Sequence, residues 1–202
     1  MRPAIVIHGI FDPAIRVLPL VRGLRARGIE QVRRARVPVL GNTRIEELAQ
    51  LLAARVERVR EQHGAEQVDL VGYSMGALVA RTYLQWFAGQ QRVSTFVSIC
   101  GPHRGTFTAY ALPLVGIRQM RPGSAFLTSL GHDVSQLPSV RVHCLYTPYD
   151  AMIVPATSGI LDGAASVHRM PVSAHHRMLR DARVHDLVAQ LLLADVPARQ
   201  AA

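Results

Sequence analysis

The sequence predicts an α/β fold: a mainly parallel sheet of about six strands with helices on both faces. Three observations predict it. Short apolar runs rich in β-branched residues alternate along the chain with amphipathic helical stretches. The runs are apolar at successive positions, as in strands covered on both sides. With 202 residues, 49% hydrophobic and 18% charged, the chain can bury one core and is too apolar to remain unfolded. No repeat, low-complexity tract or linker divides it, so residues 1–202 are expected to form a single domain.

The elements follow in order. Ala4 to His8 (AIVIH) predicts a buried strand, and a helix is expected from about Ala14 to Gly28. Gln31 to Val39 (QVRRARVPV) predicts a second strand of edge character. Thr43-Arg-Ile-Glu46 fits a capping box opening a helix with apolar positions at Ile45, Leu48, Leu52, Val56 and Val59, closed by Gly64. Val68 to Val71 is the third strand, Gly76 to Ala88 a helix, and Val93 to Ile99 the fourth strand. A long connection, expected to hold a helix over Gly123 to Leu130, precedes strands at Val140 to Tyr146 and Ser166 to Val172. A last helix from about Ala182 to Ala194 has Asp181 as its expected cap.

Bulk properties narrow the function. Lys plus Arg number 23 against 14 Asp plus Glu, a net charge of +9. The arginines are scattered along amphipathic segments, densest in VRGLRARG and VRRAR, without a zinc-binding or aromatic RNA-binding motif. They read as solvated faces rather than a specific nucleic-acid surface, although the charge would allow weak association with an anionic membrane surface. No apolar window is long enough to span a bilayer and no secretory signal is visible, so a cytoplasmic location is expected. Cys100 and Cys144 lie in apolar surroundings and read as buried thiols.

An open parallel sheet carries its functional residues at the carboxyl ends of its strands. Gly72-Tyr-Ser-Met-Gly76 fits G-x-S-x-G between a strand and a helix. This is the setting of a nucleophilic serine on a sharp turn, where small neighbours let strand and helix approach closely. Such a serine needs a base, and the base needs an acid to fix its tautomer. Asp150 follows one strand and His175 the next, completing the chain order serine, acid, histidine. Asp162 in LDG reads as a turn, and Asp133 lies too early in the crossover. The histidines His103 and His143 show no spacing that suggests zinc, and no metal is expected.

The residues IVIHGIF, VDLVGYSMGALVAR, SICGPHRGT, MRPGSAFLTSL, YDAMIVP, ILDGA and AHHRML together resemble the α/β-hydrolases. The likeness, over nearly the whole chain, is to the small, cap-less bacterial lipases and esterases of the lipase class 2 type, of which the Bacillus lipases are the minimal form. The resemblance implies carboxylic-ester hydrolysis through an acyl-serine, without cofactor. It implies Ser74 as nucleophile, Asp150 as acid and His175 as base. His175 rather than His176 stands in step with the family's apolar positions, here Met178, Leu179 and Val184. It further implies an oxyanion hole from the backbone N–H of Met75 and of Ile10, with Phe11 as the alternative to Ile10; His8 is expected to be structural. Apolar residues in GTFTAYALPLVGI, 105–117, would line an acyl pocket, form a small flap or simply pack in the core. The substrate expected is a small ester with an apolar acyl group. The alternatives are a thioesterase or acyltransferase using the same residues, or a non-catalytic scaffold binding an acidic partner.

Overall fold

In the computed structural model, which describes residues 1–11 and 15–194, six strands form one sheet. They are β1 (Ala4–Ile7), β2 (Val32–Arg34), β3 (Val68–Tyr73), β4 (Val93–Ile99), β5 (Arg141–Tyr146) and β6 (Ser166–Arg169). Their order is β2-β1-β3-β4-β5-β6, and every pairing is parallel. Crossovers are made by α1 (Leu18–Arg25), α2 (Ile45–His63), α3 (Met75–Trp86), α4 (Val115–Gln119) and α5 (Ala125–Leu130), and α6 (Ala182–Ala194) closes the described chain. The sequence-predicted α/β class, all six strands and the helices on both faces are present. Ala14, the expected start of the first helix, lies outside the described residues. Among the described residues no helix is long and apolar enough to cross a membrane.

The period of two along each strand divides the core into two layers. Ile5, Ile7, Val68, Leu70, Phe96, Val142 and Cys144 pack on α2, α3 and α5. Ala4, Val6, Val71, Tyr73, Val97, Ile99 and Leu145 pack on α1 and α6. Both cysteines are free and buried, as expected.

Several boundaries differ from the sequence reading for local reasons. The second strand is only Val32–Arg34: Arg36 takes a left-handed backbone at φ 55°, and Pro38 has no N–H to give to a ladder. The last strand stops at Arg169 instead of Val172. Thr43 to Glu46 does not form a capping box. The helix starts at Ile45 with Arg44 at the cap and no side-chain cap bond. Gln119 Oε1 accepts the Ile45 N–H at 2.8 Å instead, while Gln119 Nε2 donates to Glu46 Oε2 at 2.6 Å. A side chain 74 residues away supplies what the local pattern led one to expect of Thr43. Gly64 ends this helix in the left-handed conformation as expected, and Asp181 Oδ1 accepts the Arg183 N–H at 2.9 Å at the start of α6.

Candidate active site

The turn from β3 to α3 is built around close backbone approach. Ser74 has φ 55° and ψ −129°, a region that L-residues enter only under constraint. The constraint is visible in its glycines. A Cβ on Gly72 would lie 2.6 Å from Ala77 Cα, and one on Gly76 would lie 2.4 Å from the His8 carbonyl oxygen and 2.7 Å from that of Ile7. Helix α3 therefore starts hard against the end of β1, with the Met75 N–H in its first turn, where no intrahelical acceptor exists.

Asp150 stands on the loop leaving β5. Its Oδ1 accepts the backbone N–H groups of Met152 at 2.9 Å and Ile153 at 2.8 Å, and its Oδ2 accepts from His175 Nδ1 at 2.6 Å. Thr147 Oγ1 donates to the Val172 carbonyl and accepts from the Tyr149 N–H, tying the aspartate loop to the segment that leads to the histidine. Burial works against the charge of Asp150, but the bonds from His175 and the two N–H groups outweigh it and hold the carboxyl below its ordinary value. The imidazole of His175 lies on the ring of Tyr73, centroids 4.9 Å apart, beside the candidate nucleophile. With Nδ1 committed to Asp150, Nε2 is the ring atom left for proton exchange. Ser74, Asp150 and His175 are all buried, at 7%, 8% and 7% exposure; the structure joins Asp150 to His175 directly and sets the histidine ring against Tyr73, the residue before Ser74.

The competing residues lie elsewhere. His176 is exposed, whereas Met178, Leu179 and Val184 are buried, as the choice of His175 requires. Asp162 is exposed and pairs with Arg104 at 2.6 Å. Asp133 is also exposed, and its carboxylate accepts from Ser135. His8 is buried, its Nδ1 2.9 Å from the Gly9 carbonyl oxygen. His103 is fully buried against Ser98 Oγ at 2.7 Å, and burial and then Arg81 push its pKa well down, so it is neutral. The two candidate oxyanion donors in the first loop differ: the Phe11 N–H is already given to the Val39 carbonyl at 2.9 Å, which favours Ile10.

Sequence reasoning missed Cys100. It ends β4 with φ 50°, is 1% exposed, and its Sγ lies with a donor atom of Asp150 and one of His175 in a group spanning no more than 4.8 Å. Burial, reinforced by the Asp150 carboxylate, pushes the thiol well up, so it stays protonated. The strand-end rule that found Ser74 and Asp150 points equally to this position. Spacing along the chain cannot reveal a Cys–Asp–His group whose members sit on three separate loops.

Comparison with known proteins bears on the family and the fold. No curated protein sequence matches the chain. Among solved structures, Aspergillus fumigatus lipase B is similar with TM-score 0.83 and 17% identity, covering 97% of this chain and 53% of its own; the chain thus spans about half the length of that lipase. The mature form of Bacillus licheniformis lipase BlEst2 is similar with TM-score 0.78 and 12% identity, covering 96% of this chain and 92% of its own. Phospholipase PlaB of Legionella pneumophila is similar with TM-score 0.61 and 12% identity over 79% of this chain and 43% of its own. At such identities the likeness is one of fold, and that fold is the small, cap-less α/β-hydrolase expected from the motifs. The family model for palmitoyl protein thioesterase matches residues 3–156, a span that runs from β1 past Asp150 and includes the whole serine turn. The chain is a member of the palmitoyl protein thioesterase family, within the lipase, esterase and thioesterase hydrolases.

Proposed function

We propose that the chain is a single catalytic domain that hydrolyses acyl esters through an acyl-serine at Ser74. In the first half-reaction His175 Nε2 takes the Ser74 proton as Oγ attacks the acyl carbon, then returns it to the leaving alcohol. In the second, the same nitrogen takes a proton from water, whose oxygen attacks the acyl carbon and releases the acid, and the proton returns to Ser74. Asp150 orients His175 and stabilises its cationic form. The N–H groups of Met75 and Ile10 receive the negative oxygen of the tetrahedral intermediates. The observation that carries this reading is the Asp150–His175 couple, 2.6 Å between Oδ2 and Nδ1, buried beside the serine turn.

The surroundings support an apolar acyl group. Large apolar side chains stand exposed on loops leaving the carboxyl ends of the strands: Phe11 after β1, Phe107, Tyr110 and Leu112 after β4, and Tyr149 and Met152 after β5. Within segment 105–117, Phe107 and Tyr110 face solvent while Ala109 and Ile117 are buried. Thr106 and Thr108 Oγ1 donate to the Met152 carbonyl at 3.0 and 2.7 Å, fastening this segment to the aspartate loop. A thioester substrate is the second reading. The match to the palmitoyl protein thioesterase model favours it, and it uses the same steps with a thiol as leaving group.

A fluorophosphonate probe is expected to label Ser74 of the wild type, and Ser74→Ala to lose both labelling and turnover of p-nitrophenyl esters and acyl thioesters. The ratio of the two substrates' kcat/KM separates esterase from thioesterase. Absence of labelling, with salt-dependent binding of an acidic partner, would establish a non-catalytic scaffold instead. His176→Ala is expected to keep kcat within about threefold of wild type, as for exposed residues outside the couple. Loss of activity there, with retention in His175→Ala, would reverse the base assignment.

A further inference from the structure

The open edge of the sheet, at β2, carries a recess lined by five arginines: Arg25 of α1, Arg33 and Arg34 of β2, Arg36 just beyond it, and Arg55 of α2. Leu18, Val21 and Val32 add apolar lining, and among the described residues no carboxylate lines it. The volume is about 180 Å³. Among the described residues, no ion pair joins Arg25, Arg33, Arg36 or Arg55 to an acid. Arg25 Nη2 donates to the Val32 carbonyl at 2.9 Å, which holds that side chain against the strand.

Gathering like charges is unfavourable unless something compensates them. Here the cost is visible at Arg55, where burial first, and then Arg58, Arg36 and Arg33, lower the guanidinium's pKa. Its Nε is buried without a hydrogen-bond partner, although buried donors are almost always satisfied. A charged edge strand does discourage pairing between sheets, but that role gives no reason for arginines from α1 and α2 to converge on the same concavity as those of β2.

We propose that this recess is a phosphate-binding site, taking the diphosphate or phosphomonoester of a small soluble molecule. Guanidinium forks match phosphate oxygens in paired hydrogen bonds, and a recess of this volume suits a small anion. The β2 edge lies two strands from the strand that carries Ser74. Arg34 lies opposite Val6, and Val6 opposite Val71. Two strand steps of about 4.8 Å and three residues of about 3.3 Å then put the β2 edge roughly 15 Å from the serine. One molecule could therefore hold a phosphate here and an acyl group at Ser74, or the phosphate could belong to a separate ligand.

Titration of the Ser74→Ala protein with inorganic diphosphate at low salt tests the site without any turnover, so its failure is separate from failure of the proposed hydrolysis. Saturable binding and a raised Tm are expected, with Kd weakened at least about tenfold in Arg33→Gln/Arg36→Gln. Arg169→Gln/Arg183→Gln, which removes two charges from exposed positions elsewhere, should leave Kd unchanged. No binding, equal weakening by Arg169→Gln/Arg183→Gln, or binding only to phosphatidylglycerol vesicles would overturn the proposal. In the Ser74-intact protein, two thioesters of the same acyl group locate the phosphate. KM rising in Arg33→Gln/Arg36→Gln for acyl-CoA but not for the acyl-N-acetylcysteamine thioester places it on the substrate. Equal KM values, with diphosphate binding still lost, place it on a separate ligand.

Discussion

Asp150→Asn is expected to lower kcat about 10³- to 10⁴-fold while leaving the fold intact, and the hydrogen bonds around Asp150 dictate why. Oδ1 accepts two backbone N–H groups, from Met152 and Ile153, so an asparagine must keep its carbonyl oxygen on that side; turning the amide over would set its NH₂ against two donors. The NH₂ is then forced toward His175 Nδ1, which must become an acceptor and carry its proton on Nε2. Nε2, the atom proposed to take the serine proton, would thereby be unable to do so. Asp150→Ala removes the orienting group but does not impose the wrong tautomer, so its residual activity should be equal or higher. Rates for both variants on a p-nitrophenyl ester, with circular dichroism to confirm folding, check the argument. An Asp150→Asn enzyme within about tenfold of wild type would mean that the Asp150–His175 bond does not control the tautomer.

That couple shows what the sequence made legible and what it did not. Residue type, order and strand-end position singled out Ser74 and Asp150 as candidates, while the choice of His175 over His176 needed the resemblance to the lipases, because the end of the last strand, Arg169 rather than Val172, was not legible. Val93–Ile99 was readable to the residue from its β-branched run, and the start of the last helix at Ala182 from its Asp181 cap. Features fixed by contacts between distant segments were not readable. Gln119 replaces Thr43 at the start of α2, Cys100 meets Asp150 and His175 only after three loops converge, and the arginines of VRRAR face Arg55 only because β2 lies at the sheet edge beside α2. The β2 boundary failed for a different reason: the alternation QVRRARVPV continues past the residue at which the backbone of Arg36 turns left-handed.

The serine turn itself rests on glycines that have no room for a methyl group, and Gly76→Ala should therefore be the costliest small substitution in the chain. Its Cβ would meet the carbonyl oxygens of His8 and Ile7 at 2.4 and 2.7 Å. These are backbone atoms of the first strand and its exit, and no side-chain rotation relieves them. Relief requires α3 to move away from β1, opening the core between Ile7, Met75 and Leu78. Overpacking of this kind costs about 3 kcal/mol, equivalent to a Tm lower by roughly 6–12 °C in a domain of this size. The same displacement separates the Met75 N–H from the loop of Ile10, so kcat should fall even in the fraction that remains folded. Gly28→Ala is the control, since Gly28 has φ 89° and nothing within 4 Å of its added Cβ. It should lose only about 1 kcal/mol of backbone strain and keep full kcat. Thermal melts and active-site titration of the two variants separate the effects. If Gly76→Ala melted within about 2 °C of wild type, close contact between α3 and the end of β1 could not be what holds Ser74 in its strained conformation.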